Sequence, residues 1–135
     1  MTENEMVQDC YNKLKGLSIY KEIHLEVPYM SRCIDMILIK NNDDIITIEF
    51  KLTNWKKALK QAKTHKYGAN KAYICMPEPA KGFKSNFIKL LKKMDIGLYK
   101  YNPQKNMPLE IIQLAKESQD RWQPRIELLK TMIYA

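Results

Sequence analysis

The sequence has few cysteines and glycines and no long apolar run. Its three cysteines, Cys10, Cys33 and Cys75, stand far apart without a C-x-x-C pair, which argues against a disulfide framework and a structural zinc site. No stretch of about 18 uncharged apolar residues is present, and the first residues are acidic and polar. The sequence therefore predicts no membrane-spanning helix and no signal peptide, and we expect a reduced, cytoplasmic protein.

Acidic residues are fewer than basic ones. The sequence has 15 Asp and Glu and 23 Lys and Arg, which gives a formal charge of +8. Apolar residues make up 45% of the 135 residues, which is enough for a core and too much for a disordered polycation. The length fits one domain over residues 1–135, since single domains most often have about 100–150 residues. The positive charge favours a polyanionic partner such as nucleic acid, although excess lysine alone also occurs on ordinary solvated surfaces.

The spacing of apolar residues predicts the order of helices and strands. It indicates helices over residues 3–15, from about 55 to a stop near Gly68, and over 85–94, and strands over 17–27, 31–40, 44–51, 71–76 and 96–99. Gly16 is expected to end the first helix, and Pro28 the first strand. The order is α-β-β-β-α-β-α-β in a core of about 3–101. The pattern weakens in the tail, about 103–135, where only a terminal helix near 126–133 is predicted, packed on the same domain or on a second subunit.

The second and third strands form a predicted β-hairpin around Asn41-Asn42-Asp43. With that three-residue loop, Lys40 faces Asp44, and the apolar pairs Ile34–Phe50, Met36–Ile48 and Leu38–Ile46 share one face. The opposite face then holds Asp35 directly across from Glu49. A two-residue loop would set apolar residues against polar ones, so the packing favours the first register.

Lys51 lies two residues beyond Glu49 and so shares its face. Two carboxylates and one lysine therefore converge on a mostly apolar sheet. Like charges are costly to bury side by side without a cation, and carboxylate oxygens are the ligands that Mg²⁺ takes from proteins, while Mn²⁺ suits the same oxygens. Such a metal can polarise a phosphodiester and acidify water, with the ammonium positioning that water. The alternative to a metal site is an exposed face on which water solvates the three charged side chains.

Ile34-Asp35, thirteen intervening residues, and Glu49-Phe50-Lys51 within a hairpin, followed by a helix and a strand, resemble the PD-(D/E)XK nuclease superfamily. The resemblance covers residues 3–77 and implies a restriction-endonuclease-like α/β fold. This fold has an α-β-β-β-α-β core and a mixed central sheet flanked by helices, here with an added C-terminal helical segment. It also implies a Mg²⁺-dependent endonuclease with Asp35 and Glu49 as metal ligands and Lys51 as the catalytic lysine.

Further positions match the superfamily. Gln61 fits the glutamine that many members carry in the helix after the E-x-K strand, and Trp55 fits the aromatic residue that opens that helix. Glu5 is the best candidate for the first-helix glutamate that assists the metal, and Glu3 is the next. The sequence departs from the pattern at Ile34, which stands where the motif has proline.

Several basic residues near this motif are candidates for contacting nucleic-acid phosphates, with a solvated helix face as the alternative. They are Arg32, Lys56, Lys57, Lys60 and Lys63. His24 and His65 have no partner at nucleophile or zinc spacing, and we expect neither to be catalytic.

Three functions follow as hypotheses. The first is a metal-dependent nuclease acting on DNA, which would be a homodimer if it cuts both strands of a duplex, because one short chain rarely spans both. The second is a nucleic-acid-binding module of the same fold without cleavage. The third is a protein-interaction module, whose partner surface would be an exposed apolar stripe formed by Ile126, Leu129, Met132 and Ile133.

Overall fold

Six strands form one mixed sheet in the computed structural model, which describes all 135 residues. The helices are α1 (Glu3–Leu17), α2 (Trp55–His65), α3 (Ser85–Lys93) and α4 (Gln123–Ile133). The strands are β1 (Glu22–Tyr29), β2 (Arg32–Ile39), β3 (Ile45–Phe50), β4 (Lys71–Met76), β5 (Gly97–Tyr101) and β6 (Leu109–Gln113). They lie side by side in chain order, parallel between β3, β4 and β5 and antiparallel elsewhere. The predicted α/β fold with a mixed sheet flanked by helices is confirmed.

Helix α1 covers one face of the sheet. It begins with a capping box at Thr2, and its apolar side packs Met6, Cys10 and Leu14 against alternate residues of the central strands, such as Met36 and Ile48. The opposite face is covered by α2 and α3, which pack over β4 and β5, and by α4, which packs near β1 and β2. Residues of β3 that alternate with Ile48, including Glu49, therefore face the α2 side.

The β2–β3 hairpin forms with the predicted loop. The Lys40 backbone N–H donates to the Asp44 carbonyl oxygen at 3.0 Å, and Asp43 takes the left-handed conformation that such a loop requires. The predicted pairs Met36–Ile48 and Leu38–Ile46 are confirmed. The ladder does not continue to Ile34–Phe50, however, since Ile34 packs among the residues under α4.

Some boundaries and one strand differ from the prediction. Helix α1 runs one residue past Gly16 to Leu17, and the residue after it, Ser18, has a positive φ of 54°. Pro28 does not end β1, because β1 is an edge strand and its outer side needs no ladder hydrogen bond. Strand β6 was not predicted, since its two central isoleucines, Ile111 and Ile112, are both exposed and show no alternation.

The C-terminal segment packs on the same domain. Leu129 and Ile133 of α4 are buried against β1 and β2, so the exposed stripe expected for a protein-interaction module does not form as a whole. Ahead of this helix, the Ser118 backbone N–H donates to the Asn70 carbonyl oxygen at 2.8 Å, which ties the segment to the turn before β4. No helix is both long and apolar enough to cross a membrane.

Candidate active site

Two carboxyl groups meet where β2 and β3 separate. The carboxylate of Asp35 accepts a hydrogen bond from the Phe50 backbone N–H at 2.8 Å, in the place of a ladder bond between the strands. Glu49 is 2% exposed, and its carboxyl lies close enough to Asp35 for each group to affect the pKa of the other. One carboxyl oxygen of Glu49, Oε2, is buried and has no hydrogen-bond partner. The hairpin thus brings Asp35 and Glu49 together on one side of the sheet.

Burial controls the ionisation of both groups. Loss of solvent and, to a smaller extent, the neighbouring Asp35 raise the pKa of Glu49 to about 10. Burial also raises the pKa of Asp35, against the opposing effect of the hydrogen bond from Phe50. Without a compensating cation, Glu49 is therefore protonated at neutral pH.

Lys51 and Glu3 lie beside this pair. The Lys51 ammonium is 3.7 Å from Glu3 Oε1, and Glu3 Oε2 accepts a hydrogen bond from the Leu52 backbone N–H at 3.0 Å. These contacts hold the start of α1 against the chain that leaves β3. The Lys51 charge also lowers the pKa of both Asp35 and Glu49, although burial has the larger effect.

The first-helix glutamate that reaches the site is Glu3, the second candidate from the sequence. The first candidate, Glu5, is engaged at the helix start, where its Oε1 accepts from the Thr2 backbone N–H at 3.0 Å. That hydrogen bond lowers the pKa of an exposed carboxyl. Glu5 is therefore part of a cap, and the structure does not bring it to Asp35 or Glu49.

The residues present fit a cation held by two carboxylates. No group of three or more His, Cys, Asp or Glu side chains is arranged as a metal site. Magnesium is nevertheless often bound by one or two carboxylates, with waters and substrate phosphates completing the shell. The buried, unpartnered Oε2 of Glu49 is the kind of atom that such an ion would satisfy.

His65 and Gln61 extend the site along α2. His65 is 4% exposed, its Nε2 is 3.8 Å from Glu49 Oε2, and its Nδ1 has no hydrogen-bond partner. Burial lowers the pKa of His65 to about 4, which leaves the ring neutral. Gln61 lies one turn earlier, and its Oε1 is likewise buried and unpartnered. Sequence reasoning missed His65, although its spacing of four from Gln61 places both on one side of a helix.

A cleft opens next to His65, between α2 and the turn that joins β1 to β2. We call it the basic cleft; its volume is about 360 Å³, and its lining includes Arg32, Lys57, Lys60, Gln61, Thr64 and His65. No acidic side chain lines it. Three of the five basic residues predicted to contact nucleic acid line it, namely Arg32, Lys57 and Lys60. Lys63 lies outside it, and the Lys56 ammonium is instead 5.9 Å from the centre of the Trp55 ring.

No protein-family model matches the chain, and no curated protein does. Solved structures do share its fold. A protein of unknown function from Silicibacter pomeroyi matches with a TM-score of 0.66 and 14% identity, over 99% of this chain and 85% of that one. A repair endonuclease from Pyrococcus abyssi matches with a TM-score of 0.57 and 20% identity, over 76% of this chain and 48% of the endonuclease. This chain therefore spans about half the length of the repair endonuclease. At these identities the likeness to both proteins is one of fold.

Proposed function

We propose that this protein is a Mg²⁺-dependent nuclease that hydrolyses phosphodiester bonds of DNA and belongs to the PD-(D/E)XK superfamily. The observation that carries the proposal is the buried carboxyl pair of Asp35 and Glu49 beside Lys51, at the point where two strands part. Two carboxyl groups buried side by side are costly to keep ionised unless a cation lies between them. The likeness of fold to a repair endonuclease supports the same class.

Asp35 and Glu49 would hold the metal, with Mn²⁺ as a second ion that suits their oxygens. When bound, such an ion polarises a phosphodiester and lowers the pKa of a water molecule. Lys51 would orient the attacking water or stabilise the negative charge that develops on the phosphate. Glu3 would keep the Lys51 ammonium in place through the ion pair that the two side chains form.

Gln61 would support the phosphate or the lysine from the α2 side, and the cations of the basic cleft would hold the DNA backbone. Arg32, Lys57 and Lys60 form no ion pair within the protein. Their charge is therefore free to neutralise phosphates, and DNA binding should weaken steeply as salt rises.

The test is cleavage of plasmid and branched DNA with Mg²⁺ or Mn²⁺, and with EDTA. The Lys51→Ala variant should lose at least about a hundred-fold in rate, the lower range for a group that assists proton transfer, while its DNA affinity changes little. Lys89→Ala, which removes an exposed charge on α3, is the matched control and should cut like the wild type. Cleavage that survives EDTA, or that Lys51→Ala does not reduce, would refute the proposal.

A nucleic-acid-binding module without cleavage is the second candidate. The observation that favours it is that only two carboxylates meet at the centre of the site, since no larger group of metal-ligating side chains is formed. This candidate predicts salt-sensitive DNA binding through the basic cleft, with no cutting under any divalent metal. The same assay separates the two functions.

A further inference from the structure

The basic cleft has the composition of an anion site. Arg32, Lys57 and Lys60 lie around it without an ion-pair partner, and no carboxylate lines it to offset their charge. Mutual repulsion of three cations around a cavity of about 360 Å³ is relieved most directly by a bound anion. Phosphate groups match lysine and arginine side chains in charge and geometry.

The side chains that line the cleft also include polar atoms that are buried without hydrogen-bond partners. They are Gln61 Oε1 and His65 Nδ1. The amide oxygen of Gln61 only accepts hydrogen bonds, and an ionised phosphodiester has no hydrogen to donate. A ligand that carries an N–H or O–H donor in addition to its phosphate would supply the partner that Gln61 Oε1 lacks.

A nucleotide combines both features, because its base edge carries donors and acceptors next to a phosphate. The cleft volume is near the lower end of ligand pockets, which measure about 300–1,000 Å³, so it suits one nucleotide and not a stacked base pair. A base inside a duplex has its hydrogen-bonding edge occupied. Only a nucleotide that is unpaired or extruded can present that edge inside a pocket.

We infer that the basic cleft binds one unpaired nucleotide, with its phosphate on Arg32, Lys57 and Lys60 and its base edge on Gln61 and His65. The inference deepens the proposed function and rests on it, because it assigns the substrate class of the same site. His65 contacts both the cleft and Glu49, so the bound nucleotide lies next to the carboxyl pair. The substrate is then single-stranded DNA, or duplex DNA with an unpaired nucleotide. Free nucleoside monophosphates offer the same chemistry.

Binding is measured by fluorescence anisotropy in EDTA, so that cleavage has no influence on the result. The probes are a perfect duplex, the same duplex with one extrahelical nucleotide, and a single strand of equal length. Unlabelled deoxynucleoside monophosphates and inorganic phosphate serve as competitors. Thr64→Phe fills the cleft from α2, and Thr131→Phe adds the same ring to an exposed position of α4.

The wild type and Thr131→Phe should bind the extrahelical and single-stranded probes about ten-fold more tightly than the perfect duplex. Thr64→Phe should abolish that difference, because a filled cleft admits no unpaired nucleotide. Lys60→Gln should weaken binding of the unpaired probes several-fold compared with Lys89→Gln, which keeps the inference testable if the larger substitution prevents folding. Competition by free monophosphates would show that one nucleotide suffices, and its absence would assign the cleft to nucleotides within a strand.

Equal affinity of the wild type for paired and unpaired probes would overturn the inference, as would an unchanged preference in Thr64→Phe. Competition by inorganic phosphate as strong as that by nucleotides would overturn the base contact. A preference for unpaired probes in a protein that cuts no DNA with any metal would refute the proposed nuclease activity and leave the cleft assignment standing.

Discussion

Replacing Glu49 by glutamine should stabilise the metal-free protein at neutral pH. The wild-type carboxyl is buried beside Asp35, with one oxygen that has no hydrogen-bond partner. Glutamine has nearly the same shape but carries no charge to desolvate. Its amide can also donate to the Asp35 carboxylate without first taking up a proton, whereas glutamate has to be protonated to do so.

The magnitude follows from linkage between protonation and folding. The pKa of Glu49 is 4.5 in its ordinary state and about 10 in the folded protein. Because the folded value is the higher one, the folded state binds more protons, and stability falls as pH rises from 4.5 to about 10. Each pH unit above the ordinary value costs about 1.4 kcal/mol, which amounts to about 3 kcal/mol at neutral pH.

Urea unfolding in EDTA, followed by circular dichroism at several pH values, measures this effect. Glu49→Gln should be up to about 3 kcal/mol more stable than the wild type at neutral pH, and equal to it in acid. Glu127→Gln, on an exposed position of α4, should change little. Added Mg²⁺ should stabilise the wild type and not Glu49→Gln. A Glu49→Gln variant that is less stable in EDTA, or that gains from Mg²⁺ as the wild type does, would refute the reasoning.

Three further substitutions test other parts of the structure. Glu3→Gln should slow DNA cleavage because it weakens the ion pair with Lys51, whereas Glu5→Gln should not; equal rates in plasmid assays would contradict this placement. Gly97→Ala should destabilise the fold by about 1–3 kcal/mol or more in thermal unfolding, since the added methyl would meet the Tyr73 ring and lie 2.7 Å from a backbone nitrogen. Asn70→Ala should cost about 1–3 kcal/mol in urea unfolding, because it leaves a buried backbone N–H without its acceptor. Near-wild-type stability in either variant would argue against these contacts.

The centre of the sheet was predictable from local rules. The alternation of apolar residues in β2 and β3, with a turn-forming loop between them, sets a register that the structure confirms for Met36–Ile48 and Leu38–Ile46. The buried strand Lys71–Met76 was predicted from a different local feature, a continuous apolar run over residues 72–76. These features depend on neighbours in sequence or on a single repeated spacing.

The site could be predicted only in part, because its remaining members come from contacts that spacing does not encode. Which glutamate of α1 reaches Lys51 depends on how that helix docks at the sheet edge, and Glu3 and Glu5 differ by two residues on the same turn. His65 has no partner nearby in the sequence, because its contact with Glu49 forms only when α2 packs over β3. Strand β6 was missed because its partner strand, rather than its own pattern, makes it a strand.

The separation of the β2 and β3 ladder at Asp35 also has a consequence for the order of folding. Asp35 and Phe50 are 15 residues apart, whereas the contact between Glu3 and Leu52 spans 49 residues. Closing the longer loop costs about 1 kcal/mol more in chain entropy, so the hairpin is expected to form before α1 docks. The two carboxyl groups would then meet while still in water, and the loss of solvent that raises the pKa of Glu49 would come with the docking of the helices. A cation present during refolding should accordingly speed the late packing steps and leave hairpin formation unchanged.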